Sequence, residues 1–217
     1  MLFAESEMTE PVLEQWSQWW GELAPDALAC EISGPGAIAD LVAVEFSEQL
    51  AERQAQGILP IDDFSALQVL LLLKENPLTN VQLAAQLHLS RSAITMALRQ
   101  CLERGAVRKL SGWRYQALPQ WQLGVRRMVA VELKLRAWQK ALDQAFYYQR
   151  WANEVWIVLA KEVGRSAEAA ITETGTGLAY LDGELRLKIR QLPQMRPLDA
   201  KDFAVWCAAE QVLRRAT

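Results

Sequence analysis

The segment EVWIVLA, residues 154–160, does most to limit how this chain can fold. After Glu154 it runs through Val155, Trp156, Ile157, Val158, Leu159 and Ala160 without a polar residue. Such a run is shorter than the roughly ten residues of a buried helix, and it lacks the polar alternation of a half-exposed strand. A strand apolar on both faces belongs at the centre of a sheet covered on both sides. A second aliphatic run, MVAVELKL at 128–135, precedes it. Between them, RAWQKALDQAFYYQRWA at 136–152 sets Trp138, Ala141, Leu142, Ala145 and Tyr148 near one side of an amphipathic helix. Strand, helix, strand makes an α/β protein the expectation.

The 217 residues are 51% hydrophobic, enough for one large domain or two small ones with a real core. No apolar run approaches the roughly 20 residues of a membrane span. The longest, ALQVLLLL, reads as a buried helix face. The early residues carry Glu5, Glu7 and Glu10 where a secretory leader has basic ones. Cys30, Cys101 and Cys207 are far apart and odd in number, which gives neither a disulfide framework nor a zinc spacing. Three buried thiols in a reducing cytoplasm are expected. The single histidine, His88, excludes a His-rich metal site and disfavours a Ser-His-Asp triad; its setting, QLHLS, reads as a structural helix end.

The net charge of −3 is unevenly spread. Residues 1–63 hold 13 acids and one base, Arg53, whereas residues 76–118 hold six bases and one acid, Glu103. The basic middle points to an anionic partner, and the acidic front to repulsion or to carboxylates gathered for a metal. With a pI near 5.4, any nucleic-acid contact must be local.

TEPVLEQWSQWWGEL (9–23) reads as a helix capped by Thr9, with Val12, Leu13, Trp16, Trp19, Trp20 and Leu23 on a stripe for the core or a dimer face. ALACEIS, GPG and AIADLVAVEF read as a hairpin with Asp40 on its second strand. A polar helix at 47–57 ends at a boundary marked by Gly57 and Pro60. A helix over FSALQVLLLLKEN follows, stopped by Asn76-Pro77. Next come a short helix entered through Thr79 or Asn80 and a longer one capped by Ser90 and closed at Gly105. Two short strands then flank Ser111-Gly112. The last third offers a helix over SAEAAITETGTG, a strand pair turning at Asp182-Gly183, and a final helix from Asp199.

Glu132 and Lys134 break the aliphatic run at 128–135. Two apart on a strand they share a face, with Val129, Val131 and Leu133 on the other. The residues alone admit an edge ion pair or half of a metal-dependent hydrolase site, and Asp40 alone admits a hairpin cap. With the middle segment set aside, the order is helix, hairpin with Asp40, strand with Glu132-Leu133-Lys134, helix, strand. This order resembles the core of the PD-(D/E)xK nuclease superfamily, the restriction-endonuclease-like fold. The helix that follows carries QAFYY, similar to the Gln-hydrophobic-x-x-Tyr motif of its RecB-like branch, with Gln144 and Tyr148 in the motif positions. Two departures stand out: Ala39 replaces the motif's Pro, and the gap from Asp40 to Glu132 is long. An inserted domain accounts for the gap, since surface insertions cost little closure entropy.

The resemblance implies a central mixed sheet flanked by helices, built from residues 1–60 and 119–217, and Mg²⁺-dependent (or Mn²⁺-dependent) cleavage of DNA. Its implied site is Asp40, Glu132, Lys134, Gln144 and Tyr148, with the metal on Asp40 and Glu132 and Glu31 as an extra carboxylate. Residues 61–118 are assigned to the insert. Within them, NVQLAAQLHLSRSAITMALRQCLERGAVRKL resembles a winged helix-turn-helix. That implies DNA binding through Ser90, Arg91, Ser92, Thr95 and Arg99 in the major groove. Arg108, Lys109 and Arg114 on the wing would grip phosphate, with Tyr115 packing or stacking beside them. The rival expectations are a regulator whose α/β domain is an inactive dimerisation or sensing module, and a subunit that acts with a homodimer mate or another protein.

Overall fold

A computed structural model describes residues 4–17, 25–61, 63–121, 124–199 and 201–216. A 3-10 turn (Glu5–Met8) leads into α1 (Thr9–Glu14), β1 (Ala27–Gly34), β2 (Ala37–Phe46) and α2 (Glu48–Ala55). Then come α3 (Phe64–Glu75), β3 (Leu78–Thr79), α4 (Asn80–Leu87), α5 (Arg91–Glu103), β4 (Val107–Lys109) and β5 (Arg114–Ala117). The chain continues through β6 (Val125–Lys134), α6 (Trp138–Tyr148), β7 (Glu154–Leu159) and α7 (Arg165–Glu173). It closes with β8 (Gly177–Leu181), β9 (Leu187–Gln191) and α8 (Phe203–Ala216). The protein is α/β, with a mixed central sheet flanked by helices. No helix among the described residues is long and apolar enough to cross a membrane.

The chain forms two compact units: Met1–Glu45 with Arg127–Leu198, and Phe46–Arg126 with Asp199–Arg215. In the first, six strands run in the order β1-β2-β6-β7-β8-β9. β6, β7 and β8 are parallel; the hairpin pairs β1–β2 and β8–β9 are antiparallel. All six residues of β7 are buried, as its apolar run requires. One sheet face, with Leu41, Val129, Val131, Leu133, Trp156 and Val158, packs with Met8, Val12 and Trp16 of the N-terminal helices. The period of two sends Asp40, Glu132 and Lys134 to the opposite face, where α6 lies.

The hairpin tip is pinned to α6. A Cβ on Gly36 (φ 96°) would come within 2.5 Å of the Tyr147 ring, so only glycine admits both this turn and this approach. The β1–β2 ladder pairs every residue from Ala27 to Gly34 except Glu31, which sits opposite Asp40 with a left-handed φ of 54°.

The first helix is shorter than its sequence stripe. α1 ends at Glu14, and the Gln15 side chain turns away to bond Leu185 O (2.8 Å) and Leu187 N (2.8 Å). Trp16 is buried, while the expected Trp19 and Trp20 lie outside the described residues. Of the three thiols expected to be buried, Cys101 and Cys207 are, and burial pushes both up to about 12. Cys30 is exposed on β1, an edge strand of the sheet.

The second unit follows its local signals closely. Asp63 caps α3 by accepting from Ala66 N at 2.8 Å, and Asn76-Pro77 ends that helix. Thr79 and Gln82 form a capping box on α4; His88 closes it in the left-handed conformation; Ser90 caps α5. The strands β3-β5-β4 make a small antiparallel sheet, one strand more than expected.

This unit is larger than the expected 61–118. The segment from Phe46 to residue 60 and the C-terminal helix belong to it. Arg53 of α2 makes a buried bidentate pair with Glu210 of α8, at 2.8 and 3.0 Å. Glu210 also accepts from Ile61 N at 2.9 Å, and the Arg53 guanidinium lies 3.8 Å over the Trp121 ring. Trp206 and Cys207 join the same core as Leu70, Leu98 and Trp121. Removing one partner strands the other charge in an apolar core. Glu210→Ala is therefore expected to cost about 3–5 kcal/mol in chemical denaturation. A loss below about 1 kcal/mol would show that the pair does not hold the unit together.

Candidate active site

α6 begins four residues after Lys134 and returns over β6, so that Gln144 and Tyr148, one turn apart, face the strand. The sequence-implied set is thereby gathered on one face of the first unit. Glu132 is its centre and is fully buried, at 0% exposure. Its Oε2 lies 2.5 Å from Tyr148 Oη, and its Oε1 lies 2.6 Å from Lys134 Nζ. The lysine contact is a close ion pair that compensates the buried carboxylate.

Tyr148 Oη is also 2.5 Å from Ile38 O, a backbone carbonyl on β2. One phenolic proton cannot serve two acceptors. Both short contacts are satisfied together when Glu132 carries a proton and donates it to Tyr148, which donates in turn to Ile38 O. Burial, and then the Asp40 charge, push the Glu132 carboxyl up to about 7 against the opposing pull of Lys134 and Tyr148. Burial and the Glu132 carboxylate hold the Tyr148 phenol far above its usual range, so it acts as a neutral donor.

Asp40 Oδ2 accepts from Leu133 N at 2.7 Å, which ties β2 to β6 beside Glu132. Burial raises its pKa, the Leu133 bond and Lys134 lower it, and Glu5 and Glu31 raise it further. Burial pulls the Lys134 ammonium down, but Glu132, Asp40 and Glu5 together outweigh it, so the net shift is upward. Lys134 is thus a fixed positive charge among carboxylates.

Two features escaped the sequence. Glu5 places Oε2 3.7 Å from Lys134 Nζ and accepts from Leu135 N at 3.3 Å. Ile38 contributes through its backbone alone, which no side-chain pattern reveals. Glu31, weakly indicated by sequence, acts electrostatically on Asp40 from a strained left-handed position. Gln144 makes a long 3.4 Å bond to Tyr148 Oη. Phe146 is 68% exposed, since it points away from the face that Tyr148 occupies.

Among the described residues, no group of three or more His, Cys, Asp or Glu converges as a metal cage. The Asp40–Glu132 pair nevertheless suits a hard cation such as Mg²⁺, which keeps several waters and needs only one or two carboxylates.

In the second unit, α5 exposes Arg91, Ser92, Thr95 and Arg99 along one face. Ser90 is spent on the cap, Thr95 bonds Arg91 O at 2.8 Å, and Arg99 pairs with Glu103 at 3.3 Å. On the β4–β5 hairpin, Arg108 bonds Gln116 and Lys109 lies over Trp113, while Arg114 is exposed. Tyr115, expected beside these cations, is instead buried in the core by strand alternation.

The raised Glu132 pKa gives a signed prediction. Between about pH 4.5 and 7 the folded state holds a proton that the unfolded state has lost. Stability from this group is complete below 4.5 and is lost as pH rises through about 7. Metal-free protein should therefore lose more thermal stability between pH 5.5 and 8 than the Glu132→Gln variant does, as melting curves at those pH values will read. An equal or smaller loss in the wild type contradicts the assignment.

Comparisons of the chain with protein-family models, with curated proteins and with solved structures found no match. The side-chain geometry is therefore what bears on function.

Proposed function

We propose that the first unit is a metal-dependent deoxyribonuclease of the PD-(D/E)xK type. We further propose that the second contains a winged helix-turn-helix, within residues 61–118, that supplies DNA affinity. The observation that carries the nuclease reading is the buried Glu132 carboxylate, held between Lys134 and Tyr148 with Asp40 on the same sheet face. A same-strand ion pair of no consequence belongs at a solvated edge, not at a fully desolvated position.

Asp40 and Glu132 would hold Mg²⁺ or Mn²⁺. The chemistry such a cation supplies is a water of lowered pKa and a charge against the phosphate. In the hydrolysis a water oxygen would join phosphorus as a P–O ester bond breaks, with the water's proton passing to the leaving oxygen. Lys134 offsets the negative charge that develops on the phosphate and orients the water. Tyr148 fixes the Glu132 carboxylate, and Gln144 braces Tyr148. The Asp40–Leu133 bond keeps the two strands in the register that sets the carboxylates side by side.

The order helix, turn, capped helix, hairpin in residues 64–117, with exposed cations on α5 and the hairpin, supports the winged-helix reading. A regulator with an inactive α/β unit draws on these cations alone and leaves the buried charge cluster without a purpose. The reading makes DNA the partner and a reducing cytoplasm the setting.

The test is cleavage of supercoiled, linear and single-stranded DNA with Mg²⁺ or Mn²⁺. Wild-type protein should cut, and Asp40→Asn, Glu132→Gln and Lys134→Ala should each lose about 100-fold or more. Cleavage that survives Glu132→Gln would place the chemistry elsewhere. Wild-type protein that binds DNA but neither cuts it nor takes up metal would favour the regulator.

A further inference from the structure

We infer that Trp113 is a base-stacking residue that directs the second unit to DNA with unpaired bases, a single strand or a forked end; the inference rests on reading that unit as a DNA-binding module. Trp113 stands at the tip of the β4–β5 hairpin, after Gly112. Both residues are left-handed, with φ of 70° at Gly112 and 58° at Trp113. Glycine takes this conformation freely, but for a bulky residue it is an outlier. Packing does not explain the choice either. At 72% exposure Trp113 is the most exposed large apolar side chain among the described residues. An indole that neither local preference nor the core accounts for is placed there for something outside the chain.

Its surroundings say what that is. Lys109 Nζ lies 3.7 Å from the ring centroid and covers one face, which holds the indole in place and leaves the rest of the ring to a ligand. Arg108 is braced across the hairpin by Gln116 Oε1, at 2.9 and 3.3 Å, and keeps further N–H donors for an anion. Arg114 is exposed on the next strand. The chain carries no acid between Glu103 and Glu132. A flat π-surface with one cation seated on it, on a hairpin that carries two more, matches a phosphate backbone bearing an accessible base. In an intact duplex both faces of each base are already stacked, so an indole would have to pry a step apart. An unpaired base offers its face without that cost.

The experiment is fluorescence anisotropy of the full chain, without divalent metal, on a labelled single strand, a forked duplex and a blunt duplex of one sequence. Trp113→Gly relieves the left-handed strain, so a loss of binding cannot be ascribed to unfolding; melting curves verify this. The expected result is an affinity about tenfold weaker for the single strand and fork, and within about twofold for the blunt duplex. Trp113→Phe, which keeps a ring, should recover most of the loss. Equal affinities for wild type and Trp113→Gly on all three DNAs overturn the inference, as does an equal loss on all three. Both results leave the DNA-binding reading standing: equal affinities free the indole for a protein partner, and an equal loss makes it a contact that every form of DNA receives. If wild-type protein binds none of the DNAs, or if replacing Arg91 and Arg99 with alanine changes nothing, the DNA-binding reading fails and this inference falls with it.

Discussion

A carboxylate buried to 0% exposure beside a second carboxylate is the constraint around which the first unit is arranged. Left alone, Glu132 would either take a proton permanently or unfold its surroundings. Its neighbours pull in opposite directions: Lys134 and Tyr148 favour the carboxylate, and the Asp40 charge favours the proton. Lys134 supplies the compensating charge, Tyr148 supplies the hydrogen bond, and the Leu133 N–H holds Asp40 in place. Each neighbour depends on a feature of the fold. Lys134 depends on strand period, Tyr148 on the return of α6 over β6, and Asp40 on the hairpin pinned by Gly36 against Tyr147. The cluster is poised near neutrality, with one proton too few for its short contacts once Glu132 ionises.

Much of this was legible in the sequence, for reasons of period. The continuous apolar run at 155–160 is the fully buried β7, and the Glu132–Lys134 spacing put both side chains on one face. Caps were legible as well. Thr79, Ser90 and Asn76-Pro77 bound their helices as their chemistry dictates. These signals act within a few residues.

What escaped acts across the chain. Glu5 reaches Lys134 from the far N-terminus, and Arg53 meets Glu210 across most of the sequence, so the extent of the second unit was misjudged. No periodicity carries a contact of that kind. Backbone roles were equally hidden. Ile38 serves through its carbonyl, and Glu31 through a left-handed kink that a glutamate gives no reason to expect. At the β4–β5 tip Gly112 announced the turn, but the second left-handed residue is Trp113, where local preference yields to exposure.

The account turns on whether Asp40 and Glu132 make a cation site. Calorimetric titration of Mn²⁺ into the metal-free chain at neutral pH, beside Asp40→Asn and Glu132→Gln, reads this without reference to any substrate. Saturable uptake by the wild type that disappears in both variants is the predicted result. No uptake by the wild type, or uptake that both variants retain, would contradict it.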